Sequence, residues 1–253
     1  MGDAFVHIVK GHLTGDAPLD TAVSRVILEQ VSDGDLPETL QIGCPHRVVA
    51  FGRHDAITPG FDRAVAIAVD RGFDPTIRLA GGRAVVFHEQ VIRFAWTVPT
   101  PDPVRDMRAR FEAVTNSVID TLRSFDVTGT AGELPHEYCP GNYSVSVHGA
   151  GKVMGSGQRL ARRAAQIAGM IVVNDGASIN TVLEPVYRSL GLDMDPKLTG
   201  AVADVANVNT SSVMDRFSQQ IVGNRDPVEA GISDETSARA SGFRADHDPR
   251  VFA

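Results

Sequence analysis

The sequence predicts an α+β fold, a mixed and largely antiparallel sheet with helices packed on it. Short apolar strand candidates fall in hairpin-like pairs, and single amphipathic helices separate those pairs. A length of 253 residues with no clear linker fits one domain.

The elements follow in order. Ala22, Val23, Val26, Ile27 and Val31 recur at helical spacing, so a helix begins near Asp20 as N-cap and stops at Gly34. Leu40–Ile42 and Val48–Phe51 are brief apolar runs bounded by Gly43, Pro45 and Gly52, as buried strands are. A short helix runs from Phe61 through Ala64, Val65 and Ala68 to Gly72. Ala84–Phe87 and Val91–Val98 are close enough to pair as a hairpin across His88, Glu89 and Gln90. Asp102 and Pro103 read as N-cap and first residue of a long helix whose stripe is Val104, Met107, Phe111, Val114, Val118 and Leu122. Tyr143–Val147 alternates as a strand, and Lys152–Gly155 returns from the turn His148–Gly151. Ile179, Val182, Leu183, Val186, Tyr187 and Leu190 mark a helix with Pro185 inside it; Val213, Met214, Phe217 and Ile221 mark the last. From Asn224 onward large apolar residues are few, so 224–253 reads as a polar, mobile tail.

Charge and composition exclude several classes. A net charge of −7 argues against a general nucleic-acid binder, and no apolar run is long enough to span a bilayer. Cys44 and Cys139 are too few and too far apart for a disulfide framework, which fits a reduced, cytoplasmic setting. The eight histidines show neither i, i+4 spacing nor grouping with cysteine, so no metal site is expected.

Two glycine-flanked basic segments carry the chemistry. Arg78 is followed by Gly81, Gly82 and Arg83; Lys152 is followed by Gly155, Ser156, Gly157, Gln158 and Arg159. Glycines let bare amides approach a ligand while the cation supplies charge, which suits phosphate and carboxylate groups. Only Lys10, Lys152 and Lys197 are lysines among 24 basic residues. Arginine is always charged, whereas a lysine can be tuned by burial, so Lys152 is a candidate for chemistry or the cap of a turn. Neither segment is a GxGxxG fingerprint or a P-loop.

Taken in order, Arg78 with Gly81-Gly82-Arg83 and His88, then Cys139-Pro140-Gly141-Asn142-Tyr143, then the Lys152–Arg159 segment resemble the signatures of the lipoate-protein ligase A and octanoyltransferase family over roughly residues 20–220. The resemblance implies a biotin-ligase-like fold related to class II aminoacyl-tRNA synthetases, with 1–223 as one lipoate ligase-like catalytic domain. It implies transfer of a lipoyl or octanoyl group to a lysine of a carrier domain. Arg78, Gly81, Gly82 and Arg83 would line the acyl and phosphate pocket, with His88, Asn142, Gly155, Ser156 and Gln158 completing the ligand-binding set. Lys152 would be the essential lysine, stabilising the reacting carbonyl and phosphate of an acyl-adenylate made from ATP with Mg²⁺ and lipoate or octanoate. On that reading a neutral side chain at 152 would spare folding and remove turnover.

Three readings follow from the resemblance: the ATP-dependent ligase, an octanoyltransferase that carries the acyl group on Cys139, and an acyl-binding module without chemistry. Ala168 stands where the family usually has a histidine, and Tyr143 where its ligases often place an aspartate after Asn142. Implied partners are the lipoyl domains of 2-oxoacid dehydrogenases or of the glycine cleavage system, acyl carrier protein as donor, and an accessory subunit. Arg159, Arg162 and Arg163 would offer an acidic carrier a basic rim, or form a solvated face.

Overall fold

The computed structural model describes residues 5–11 and 14–251. Its strands are β1 (Phe5–Lys10), β2 (Thr39–Gly43), β3 (Val48–Phe51), β4 (Asp74–Ile77), β5 (Val85–Phe87), β6 (Val91–Pro99), β7 (Gly129–Ala131), β8 (Val145–Val147), β9 (Gly151–Leu160), β10 (Ala164–Val172) and β11 (Asp226–Glu229). The longer helices are α1 (Ala17–Asp33), α2 (Phe61–Asp70), α3 (Met107–Arg123), α4 (Gly176–Ser189), α5 (Thr210–Val222) and α6 (Asp234–Phe243).

Strands β6 and β10 occupy the middle of an eight-stranded sheet ordered β11-β1-β2-β6-β10-β9-β8-β7. Both are nine residues long and mostly buried on both faces, so each takes a partner on either side. Pairing is parallel from β11 through β1 to β2 and antiparallel across the rest. A second sheet, β4-β3-β5, is also mixed. The α+β fold with a largely antiparallel sheet is therefore the one observed.

Apolar stripes decide where the helices go. On one face of the large sheet, α3 and α5 bury Val114, Val118, Leu122, Val213, Phe217 and Ile221 against Phe94 and its neighbours, with the Phe94 and Phe217 rings 4.8 Å apart. The small sheet packs with α2 and α4 into a separate cluster that includes Met170 and Val172 of β10. Helix α1 packs against β2, β6 and β10, and the space between it, the small sheet and the large sheet stays partly open.

Four expectations are corrected. The runs 84–87 and 91–98 do not form a hairpin: β5 pairs with β3, and β6 pairs with β2 and β10. The long, doubly buried β6 is used up by its two partners, which leaves the three-residue β5 to the small sheet. The helix expected from Asp20 starts at Ala17, where Asp16 accepts the Leu19 amide at 3.0 Å and Pro18 is tolerated in the first turn. The helix expected from Pro103 starts at Met107, because Asp102 accepts the Arg105 amide and holds that segment as a turn.

The fourth correction concerns the tail. Beyond Asn224 the chain adds β11 to the edge of the large sheet and lays α6 on α1. Ala240 is fully buried there, Thr236 Oγ1 lies 3.0 Å from Gln30 Oε1, and the Arg25 guanidinium sits 3.8 Å over the Phe243 ring. Arg244 pairs with Asp16 at 2.7 Å and Arg250 with Asp74 at 3.1 Å. A small-residue helix face and charge pairs do what large apolar residues do elsewhere, which composition alone undercounts. No described helix is long and apolar enough to cross a membrane.

His247 is buried in this segment with Nδ1 2.9 Å from the Ile77 carbonyl and Nε2 without a partner. Burial lowers its pKa below the ordinary value of about 6.5, overcoming the Ile77 hydrogen bond. As pH falls through 6.5 the unfolded chain takes up that proton before the folded one, so stability is present above that range and lost below it. Urea unfolding at pH 7.5 and 5.5 should show this loss, and His247→Gln should reduce it. Deleting 224–253 should lower the thermal unfolding midpoint by about 5 °C or more, roughly 2 kcal/mol for a chain of this size; an unchanged midpoint would mean that the segment does not support α1.

Candidate active site

A cavity of about 450 Å³ opens where α1, the small sheet, the β9–β10 face and the loops 78–82 and 138–144 meet. That volume suits a small or medium-length ligand. Arg78, Gly81, Gly82, Cys139, Asn142, Lys152, Gly155, Ser156 and Gln158 all line it, so three motifs far apart in sequence converge on one wall.

Two expected residues do not reach the cavity. Val85 and Phe87 line it from β5, so strand alternation turns His88 away. His88 is buried, its Nδ1 accepts the Gln90 amide at 3.2 Å, and burial lowers its pKa. The Arg83 guanidinium points to the fully buried Asp55 carboxylate at 3.2 Å. What Arg83 brings to the site is its backbone amide.

That amide and Arg78 surround a thiol. The Cys139 Sγ accepts the Arg83 N–H at 3.2 Å and lies 3.4 Å from Arg78 Nη2. Cys139 has φ +42°, a left-handed conformation uncommon for a side-chain-bearing residue. Three contacts hold it there: its N–H donates to the Tyr187 hydroxyl at 2.7 Å, its carbonyl accepts Lys152 Nζ at 2.8 Å, and its sulfur rests on the Gly82–Arg83 turn. Burial raises the Tyr187 pKa, which keeps the hydroxyl protonated and able to donate onward to the Ala84 carbonyl at 3.1 Å. Gly82 has φ +96°, and a Cβ there would stand 2.5 Å from Arg78 Nη2 and 2.7 Å from the sulfur. Only glycine allows that approach.

Lys152 is fully buried on β9. Its ammonium donates to Glu137 Oε1 at 2.9 Å, the Tyr138 carbonyl at 2.9 Å and the Cys139 carbonyl at 2.8 Å, and lies 4.8 Å from the Tyr138 ring. All three donors are thereby engaged. Glu137 is equally buried and also accepts from Ser144 Oγ at 2.6 Å and from the Leu134 and Gly141 amides at 3.2 Å. Glu137 carries no signal in the sequence, since a carboxylate in a polar loop reads as solvated. The pair ties both ends of the 134–144 loop to β9 and fixes the Cys139 backbone.

Two further donors face the cavity unused: Arg78 Nε and Ser156 Oγ are buried and have no hydrogen-bond partner. Gln158 is held by Arg110 Nε at 3.1 Å and itself donates to the Met107 carbonyl at 2.7 Å, and Tyr143 stacks on Phe111 with ring centroids 4.7 Å apart. Arg163 donates to the Ser32 hydroxyl and carbonyl at the end of α1, so it leaves the basic rim. Glu137 beside Lys152 and Asp55 beside Arg83 are each paired with a cation. A hard divalent ion prefers free carboxylate oxygen, so the donors on this wall fit Mg²⁺ poorly.

A thiol, an engaged lysine and glycine-bared amides thus meet at one cavity on a mixed-sheet scaffold. The family described as lipoyl protein ligase A/B catalytic domain matches residues 16–223, and the chain belongs to that family. Its relatives include an octanoyl-[GcvH]:protein N-octanoyltransferase of Bacillus velezensis, 30% identical over 58% of this chain and 51% of that protein. A lipoyl-[GcvH]:protein N-lipoyltransferase of Listeria monocytogenes is 22% identical over 75% of this chain and 72% of that protein. The matched region is thus about half the length of the first of these relatives. Among solved structures, a lipoate protein ligase of Thermoplasma acidophilum with bound lipoic acid superposes with a TM-score of 0.74 at 17% identity, covering 96% of this chain and 95% of that one. A lipoate-protein ligase A bound with ATP gives 0.73 at 17%, covering 96% and 94%. These two likenesses establish the lipoate-ligase fold.

Because Lys152 is buried and paired, the expectation that a neutral residue at 152 spares folding is revised. Lys152→Met should cost about 3–5 kcal/mol in urea unfolding by stranding the Glu137 carboxylate, and adding Glu137→Gln should recover much of it. Additive losses in that cycle would mean that the two groups do not act as a pair.

Proposed function

We propose that this protein moves an octanoyl or lipoyl group from one lipoyl carrier domain to a lysine of another through a thioester on Cys139. The observation that carries the reading is the sulfur in the cavity, met by the Arg83 amide and the Arg78 guanidinium. Such donors are what a thiolate needs as nucleophile and as leaving group. The relatives' names supply the donor class, an acyl group held on GcvH.

The first step forms a bond between Cys139 Sγ and the donor carbonyl carbon and breaks the amide C–N bond. The thiol proton leaves with the donor lysine as its amine. In the second step an acceptor lysine amine attacks the thioester carbonyl, the C–S bond breaks, and a proton returns to sulfur. Each step passes through an oxyanion, for which Arg78 Nε and Ser156 Oγ are the unpartnered donors at hand. Removing one such donor typically costs about 3 kcal/mol in barrier, a hundredfold or more in rate.

An acyl-adenylate route would set Lys152 against the reacting carbonyl and phosphate. Its protons are instead engaged by Glu137, Tyr138 and Cys139, so the geometry favours the thioester.

Incubation with an octanoylated GcvH-type domain should add the mass of one octanoyl group to Cys139, read by peptide mass spectrometry. Cys139→Ser should abolish both the adduct and transfer to a second carrier domain. Undiminished transfer by that variant would overturn the thioester, and octanoate-dependent pyrophosphate exchange in it would establish the ligase route instead.

A further inference from the structure

Two loops meet at the Cys139 sulfur, and the Tyr187 hydroxyl joins them a second time. The sulfur belongs to the loop 138–144, and from the loop 78–84 it meets the Arg83 N–H at 3.2 Å and Arg78 Nη2 at 3.4 Å. Among the described residues these are the only direct hydrogen bonds between the two loops, and both end on the reacting atom. The hydroxyl makes the indirect link. It accepts the Cys139 N–H at 2.7 Å and donates to the Ala84 carbonyl at 3.1 Å, so one lone pair and its single proton connect residue 139 to the neighbour of residue 83.

The ring that carries this hydroxyl is fixed from behind. Tyr187 is buried on α4, which packs Val182, Leu183 and Val186 against α2 and the small sheet, and it does not line the cavity. Pro185 has no N–H for the Thr181 carbonyl one turn back, and the Arg71 guanidinium supplies that carbonyl with a donor.

Acylation makes the indirect link matter. A thioester sulfur carries no charge, and a hydrogen bond to a neutral acceptor is roughly half as strong as one to an ionised group. Both sulfur-mediated bonds therefore weaken when an acceptor amine must approach the thioester carbonyl. Cys139 has φ +42°, a conformation that relaxes unless contacts maintain it. Two of its contacts do not involve sulfur, the N–H to Tyr187 and the carbonyl to Lys152, and only the first continues to the 78–84 loop.

Resting on the Cys139 thioester proposed above, we infer that Tyr187 is a positioning residue for both half-reactions: its hydroxyl keeps Cys139 aligned with the Arg83 amide in the free enzyme and holds the two loops together while the sulfur is acylated.

Tyr187→Phe removes the hydroxyl and keeps the ring. Iodoacetamide alkylation of the full chain, read at each cysteine by peptide mass spectrometry, should slow about tenfold or more at Cys139 relative to Cys44, because the sulfur loses the amide that favours its thiolate. A general loosening of the fold would instead speed both cysteines. Single-turnover acylation by an octanoylated GcvH-type domain, and transfer from the thioester to a second carrier domain, should each lose about tenfold or more in limiting rate with the half-saturating carrier concentration unchanged. An unchanged ratio of Cys139 to Cys44 alkylation, or a loss confined to half-saturation, would overturn the inference. If the wild-type chain takes up no octanoyl group, the thioester fails by itself, and the alkylation ratio still decides whether Tyr187 aligns the sulfur. Should Tyr187→Phe not fold, hydrogen exchange in the wild-type chain decides: the Cys139 amide should stay protected after iodoacetamide has capped the sulfur, and collapse of that protection would overturn the inference.

Discussion

The buried contact between Lys152 and Glu137 is what the cavity wall around Cys139 depends on. Two opposite charges withdrawn from water are tolerated only with close pairing and further hydrogen bonds, and both groups have them. The pair stitches the 134–144 loop to β9. The left-handed backbone at Cys139 persists because contacts on both sides over-determine it, and the sulfur consequently meets the Arg83 amide in a fixed direction. All three of the lysine's hydrogen bonds go to residues 137–139 of that loop.

The scaffold contributes by separating two tasks. Strands β9 and β10 present small residues toward the cavity, including Gly155, Gly157, Ala168 and Gly169, which leave room for a chain. On the opposite face of the sheet, α3 and α5 bury large apolar side chains away from the cavity. Loops bearing the reactive groups then sit over a rigid floor, which lets them adopt strained conformations without loosening the core.

How much of this was legible in the sequence follows from local physics. Strands β2 and β3, helices α2 and α5 and the β8–β9 hairpin were readable because their apolar spacing or turn residues are self-sufficient. The motif residues of the cavity wall were readable because glycines and cations at close spacing have few structural uses. Strand β4 was not, since Pro75 argues against a strand; it is tolerated because β4 lies at the edge of its sheet. Helix α6 escaped because its buried face is Thr236 and Ala240 rather than leucine. Glu137 was invisible because a charged residue in a loop reads as solvent-facing until a buried partner is placed beside it.

The Glu137 charge also bears on the acyl donor proposed above. Glu137 cancels Lys152, so near the sulfur the uncompensated charge belongs to Arg78, a planar cation already shared with the Arg83 carbonyl at 2.7 Å. An anionic adenylate phosphate would need a second cation, and recruiting Lys152 would strand a fully buried carboxylate and release the Cys139 loop together. A carrier-bound amide and the thioester derived from it are neutral and make no such demand. Under the transfer proposed above, a neutral donor is the one that leaves the Lys152–Glu137 pairing intact.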